Sequence, residues 1–213
     1  MGVLMSTLNT EVVAGWLADY AQTIEQNAEM LTDLDRQIGD ADHGSNMKRG
    51  TKAVAELEAS EFADAAALLK KAGMTLVNTV GGASGPLYGT FFLRVAKALP
   101  ADGEISAGQW GEALRAGLQG VIDRGKASVG DKTIVDALTP AMDALDAAAS
   151  GGAGVAEALD AAAKAAAEGR DATVDLVARK GRASYLGERS RGVQDPGATS
   201  ATLLVESAAR TLG

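Results

Sequence analysis

Apolar residues recur at three- and four-residue steps along nearly the whole chain, the spacing of helices that each bury one face. Val12, Val13, Trp16, Leu17, Tyr20, Ile24 and Leu31 set the pattern and predict a long first helix ending just before Gly39. Further helices are predicted over Met47–Leu57, Phe62–Val80 and Pro86–Leu99, the last with proline suited to its first turn. Ser106 can cap a fifth helix running to about Arg124, and Asp131 or Thr133 can open a sixth through Ala149. An alanine-rich seventh covers Val155–Ala167, an eighth candidate covers Asp171–Arg179, and a last one covers Ala198–Leu212 with Thr199 in its first turn. "PADGE", from Pro100 to Glu104, reads as a turn. No stretch reads convincingly as a strand. The chain is therefore expected to be all-α, with eight or nine helices.

The loops between these helices are unequal. Four are rich in glycine: Gly39–Gly50, Gly81–Pro86, Gly125–Thr133 and Gly181–Gly197. They follow helices one, three, five and the one before the last. An antiparallel array puts alternate loops at the same end, so all four are expected to meet at one rim, where loops on a rigid scaffold carry function. No repeat, low-complexity tail or linker divides residues 1–213, which read as a single domain.

Composition narrows the chemistry. Aromatics are only 4% of the chain while apolar residues are 46%, which suits closely packed helices with small side chains. The net charge of −8 argues against nucleic-acid phosphate as a partner. An anion could still be held locally, by a metal ion or by backbone N–H groups. The absence of cysteine excludes disulfides, iron–sulfur clusters, cysteine zinc sites and thiol nucleophiles, and fits a cytoplasmic protein. The N-terminus lacks the pattern of a signal peptide, and no apolar run is long enough for a bilayer. "MGVLMS" matches the loose myristoylation pattern but reads better as a leader before Thr7.

The stretch "LDRQIGDADHGSNMKRG" places Asp35, Asp40 and Asp42 beside His43, the only histidine. With the helix ending near Ile38, an extended Asp40–Ala41–Asp42 would let both carboxylates converge with Asp35. Three carboxylates repel one another, and a helix C-terminus disfavours negative charge further. The cluster makes sense around a hard divalent cation. Oxygen ligands without thiols point to Mg²⁺, ahead of Mn²⁺ or Ca²⁺. Mg²⁺ usually completes its shell with waters and phosphate, so the cluster predicts a phosphate ligand. The competing interpretation is a solvated acidic helix end. His43 fits a hydrogen-bonding role better than a catalytic one, although phosphohistidine chemistry stays open at this point.

"GGASGPLYGTFF" supplies a second element. Gly81, Gly82 and Gly85 would let a ligand approach the backbone, and Ser84 precedes a helix start whose free N–H groups favour an anion. "DPGATSATLL" repeats the device before the last helix. Neither a P-loop nor a strand-framed dinucleotide fingerprint occurs. "RKGRASYLGERSRG" concentrates Arg179, Lys180, Arg182, Arg189 and Arg191 in an acidic chain, as a solvated loop, a lid over phosphates or a docking surface.

From about Leu31 to the end, "GDADHGSNMKRG", "GGASGPLYGTFF", "RGKASVGDKT" and "GRASYLGERSRGVQDPGATS" resemble, in order, the nucleotide-binding L-subunit family of dihydroxyacetone kinases. The resemblance implies eight antiparallel helices in an up-and-down barrel with the nucleotide site at one rim. It implies two Mg²⁺ ions on Asp35, Asp40 and Asp42, bridging the diphosphate of ADP or ATP. It implies nucleotide contacts from His43, Gly44, Ser45 and Asn46, and from Ala83 and Ser84. Gly125 and Ile134 would border base or ribose, and Arg182 with Asp195, Pro196 and Gly197 would close over it.

The chain has no portion like the dihydroxyacetone-binding K subunit, and "SYLGERS" favours the branch in which the L subunit is separate. That branch implies resident ADP, rephosphorylated in place by a phosphohistidine protein of the phosphotransferase system. The K subunit is then the partner and acceptor, and no catalytic residue is assigned on this chain. The alternatives are a kinase of the same fold using exchangeable ATP on dihydroxyacetone or another small ketose, and a nucleotide-dependent regulator that binds a transcription factor. His43 as the phosphocarrier ranks last. Homodimerisation stays open.

Overall fold

The computed structural model describes residues 8–100 and 105–213. Within them the chain forms α1 (Thr10–Ile38), α2 (His43–Ala55), α3 (Ala65–Thr79), α4 (Ser84–Ala98), α5 (Ala107–Gly125), α6 (Ile134–Ser150), α7 (Val155–Ala172) and α8 (Pro196–Leu212). Three short 3₁₀ segments lie at Ala59–Glu61, Thr173–Asp175 and Arg182–Ser190. There is no strand among the described residues, and no helix there is long and apolar enough to cross a membrane. The "MGVLMS" leader and all but the first residue of "PADGE" fall outside the described residues.

Helix starts follow local capping chemistry. Asn9 accepts the Val12 N–H at 2.9 Å and Asp64 that of Ala67 at 2.7 Å. Ser106 with Gln109, and Thr133 with Asp136, form capping boxes. Asp64 explains why α3 begins at Ala65 instead of Phe62. The start of α2 differs more from expectation. It begins at His43, four residues before Met47, because its cap comes from another helix. Asp35 Oδ2 accepts the N–H groups of Asp42 at 2.8 Å and His43 at 3.1 Å.

The candidate helix Asp171–Arg179 does not form. Its first residues complete α7, and one 3₁₀ turn follows before the chain extends. Lys132 explains the break. Its ammonium takes the carbonyl of Leu176 and shares that of Thr173 with the Leu176 N–H, holding the chain to one 3₁₀ turn before it extends.

Each helix packs on its successor, and α8 packs back on α1, so the order of contacts closes on itself. Trp16 stands at the centre. Its ring lies edge-to-face with Trp110 of α5 at 5.6 Å and 5.7 Å from Phe92 of α4, and its indole N–H donates to Leu204 O of α8 at 3.2 Å. Each ring buries on the order of 150–250 Å². The core thus fixes four helices against one another, and the connections α1–α2, α3–α4, α5–α6 and α7–α8 emerge together at one end around a single cavity.

Candidate functional site

The cavity has a volume of about 440 Å³, within the range of small-molecule sites. One wall is the α1–α2 turn. Asp35 sits in the last turn of α1, buried, with Oδ2 occupied by the two amides at the start of α2. Asp40 is exposed and Asp42 is partly covered. The expected extended Asp40–Ala41–Asp42 is not what forms. Ala41 adopts a left-handed φ of 62° and Asp42 is helical. The chain must reverse between Ile38 and His43 while presenting its amides to Asp35, and a left-handed residue achieves that at a cost on the order of 1 kcal/mol. The reversal folds Asp40 and Asp42 back, so that one carboxylate oxygen from each of the three aspartates lies within 4.8 Å of the others.

His43 opens α2 and is buried between helices. Its Nε2 is 2.8 Å from Ser200 Oγ and its Nδ1 is 3.2 Å from Ser84 Oγ, while Ser200 Oγ is 2.7 Å from the Tyr88 hydroxyl. Burial lowers the His43 pKa, against the opposing pull of Asp35 and Asp42. Burial pushes Tyr88 up to about 12. His43 is thus a hydrogen-bonded part of the wall. Gly44 does not reach the cavity. It packs against α1, where a Cβ would collide with the Ala28 carbonyl. Ser45 faces solvent and donates to Asp42 O at 2.9 Å. The backbone N–H groups of both lie in the first turn of α2, where no helical carbonyl precedes them. Asn46 does line the cavity, held at 2.6 Å by Arg49.

The α3–α4 connection forms the second wall. α4 starts at Ser84, two residues earlier than Pro86, and Ala83 gives no side-chain cap. Its first-turn N–H groups therefore open on the cavity beside Gly82, Ala83 and Ser84. The glycines divide. Gly82 has φ of 65° and open space around it. Gly81 lines the cavity beside the Asn46 amide, whereas Gly85 is needed for internal packing against the Val80 carbonyl.

The third wall is less polar. Leu87 and Pro86 of α4, Val121 and Gly125 of α5 and Ile134 of α6 line it, with Arg124 at the edge. The fourth wall is the segment before α8. Arg182 Nε is 3.0 Å from Asp40 Oδ2, and Pro196 and Gly197 line the cavity. Asp195 turns inward. Buried, it caps α8 by accepting the Ala198 N–H at 2.7 Å, and burial raises its pKa to about 7.

All the expected site residues but Gly44 and Ser45 line this one cavity. Sequence reasoning missed Lys132, Tyr88 and Ser200. Lysine is rarely buried, so nothing marked Lys132 as interior. The Tyr88–Ser200–His43 contacts join residues up to 157 positions apart. The donor chemistry suits a hard divalent cation with a phosphorylated ligand: three clustered carboxylates stand beside the uncapped start of α4.

Comparison with known proteins agrees with this chemistry. The DAK2 domain matches residues 37–210. The ADP-binding subunit DhaL of the PEP-dependent dihydroxyacetone kinase of Escherichia coli (strain K12) is 46% identical over 203 residues, covering 95% of this chain and 96% of that protein. The ADP-binding subunit DhaL of the PTS-dependent dihydroxyacetone kinase of Lactococcus lactis is 40% identical over 205 residues, covering 95% and 97%. The crystal structure of the C. freundii dihydroxyacetone kinase in complex with AMP-PNP and Mg²⁺ superposes with a TM-score of 0.71 at 26% identity, over 99% of this chain and 36% of that one.

Proposed function

Since this chain belongs to the DAK2 domain family, we propose that it is the separate ADP-binding subunit of a phosphoenolpyruvate-dependent dihydroxyacetone kinase, a single domain over residues 1–213. In this reading the subunit keeps ADP with Mg²⁺, is recharged in place by a phosphohistidine protein of the phosphotransferase system, and passes the phosphoryl group to dihydroxyacetone on a K subunit. The observation that carries the reading is the meeting of the aspartate cluster with the starts of α2, α4 and α8 in one cavity. Identities of 46% and 40% to separate subunits, against 26% to the C. freundii kinase, support it over a fused kinase.

Asp35, Asp40 and Asp42 would hold the metal, two ions in the full reading. Bound Mg²⁺ neutralises phosphate charge, and the nucleotide supplies the transferable phosphoryl group. The remaining work is positioning. Amides of Gly44 and Ser45, with His43, Asn46, Ala83 and Ser84, bind phosphate oxygens. Gly125 and Ile134 border the base and ribose. Arg182 and the Asp195–Pro196–Gly197 turn cover the ligand and exclude water. Phosphoryl transfer needs charge neutralisation and in-line placement more than covalent help. No general base is assigned here, and the acceptor chemistry belongs to the partner.

Native mass spectrometry of dialysed protein against its denatured mass tests this. A surplus equal to ADP plus two Mg²⁺ is expected. A bare mass that gains nucleotide only with added ATP and Mg²⁺ supports the exchanging kinase. A mass that never gains nucleotide overturns the site.

A further inference from the structure

Lys132 is 1% exposed, with its ammonium sealed inside the protein. All three of its N–H donors are taken by backbone carbonyls: Thr173 O at 2.8 Å, Leu176 O at 3.2 Å and Val193 O at 2.6 Å. Thr173 and Leu176 lie on the strand of chain leaving α7, and Val193 lies on the strand returning to α8. Between them sits the basic segment that bears Arg182. One side chain therefore staples both legs of that segment. Weaker ties run beside it: Gly192 N–H to Val174 O at 2.8 Å, Ala178 N–H to Ser190 Oγ at 2.9 Å and Arg179 N–H to Asp131 O at 3.0 Å.

The backbone of Lys132 serves the opposite side. Thr133 and Ile134, which follow it, line the cavity and start α6. A left-handed φ of 62° at Lys132 sends its side chain back from that wall into the neck of the basic segment. The cavity floor and the neck of the segment are thus joined through one residue.

We infer that Lys132 is a positioning residue for nucleotide retention, acting through Arg182: it holds the 176–193 segment in the register that keeps Arg182 over the cavity. The inference rests on the nucleotide-binding reading above. A buried ammonium is costly unless fully hydrogen-bonded, and a neutral residue of the same size leaves the carbonyls of Leu176 and Val193 without a donor and Thr173 O with only the Leu176 N–H. The neck then loosens while the helical core, built on other contacts, stands.

The test is stopped-flow release of a fluorescent ADP analogue from the Mg²⁺-loaded full chain, in wild type, Lys132→Met, Arg182→Ala and the double variant. Release from Lys132→Met is expected to be about tenfold faster, comparable to Arg182→Ala, as for the loss of one charge-assisted contact. The double variant should be no faster than the faster single, because both remove the same contact. Trypsin should also cut the loaded Lys132→Met protein within the 179–191 segment sooner than wild type. Unchanged release in Lys132→Met overturns the inference, and so does a double variant whose effect is the product of the singles. If Lys132→Met does not fold, Lys132→Gln, which keeps a donor, should release at an intermediate rate, and wild-type release from it overturns the inference. Wild type that never binds the analogue sinks the nucleotide reading itself and the inference with it.

Discussion

Arg182 Nε lies 3.0 Å from Asp40 Oδ2, tying the basic segment before α8 to the turn after α1. The oxygen it takes belongs to one of the three carboxylates that the proposed function gives to a metal. In that reading, arginine and metal compete at Asp40 when no nucleotide is present. The pair is well exposed and so is worth at most about 1 kcal/mol. Arg182→Ala is expected to bind Mg²⁺ alone about threefold more tightly, by calorimetry, while releasing nucleotide faster. Weaker metal binding in the variant would show that Arg182 supports the metal instead of competing with it.

Asp35 and Asp40 should separate under mutation. Asp40 makes no cap, so Asp40→Ala should leave the ligand-free melting temperature close to wild type and abolish the stabilisation by ADP with Mg²⁺. That stabilisation is about 2.7 kcal/mol at a hundredfold excess over Kd. Asp35 also accepts two amides at the start of α2. Asp35→Ala should cost about 1–2 kcal/mol even without ligand. Calorimetric melting with and without ligand distinguishes the two. Equal ligand-free stabilities would refute the capping role of Asp35.

Asp195 gives a pH dependence. Burial raises its pKa from 3.8 to about 7, so the folded state holds the proton more tightly than the unfolded chain. Its favourable contribution is complete below about pH 4 and is lost as pH rises through 7. The gap between the two values caps the effect at about 4 kcal/mol. Asp195→Asn keeps a cap oxygen and cannot ionise. In urea unfolding of the ligand-free protein, the stability difference between variant and wild type should grow in the variant's favour from pH 5 to pH 8. A constant difference would mean that Asp195 titrates normally.

Gly44 fixes the spacing of α1 and α2. A Cβ there would strike the Ala28 carbonyl, which is backbone and cannot swing aside. Gly44→Ala should cost about 3 kcal/mol. It should also weaken nucleotide binding, since the same helix pair carries Asp35 and His43. Wild-type stability in this variant would show that the helices can part freely.

Much of this was legible in the residues themselves. Helical periodicity located α1 and α5 to within a few residues. The four glycine-rich connections did meet at one cavity, each joining an odd-numbered helix to the next. The aspartate cluster could be read because its members lie within eight residues of one another.

The rest depended on contacts between distant segments. Sequence alone determined the helical class, the acidic cluster and its oxygen-only donor set, since periodicity, spacing and donor type are local properties. Tertiary structure decided where α2 begins, because its cap is Asp35 of α1. It decided that Asp171–Arg179 is not a helix, because the Lys132 ammonium, arriving from another loop, binds the Thr173 and Leu176 carbonyls. It decided that Gly44 packs while Gly82 opens on the cavity, because only a neighbouring chain separates those roles. Local sequence describes what each residue can offer, and the partner that accepts the offer is brought there by the fold.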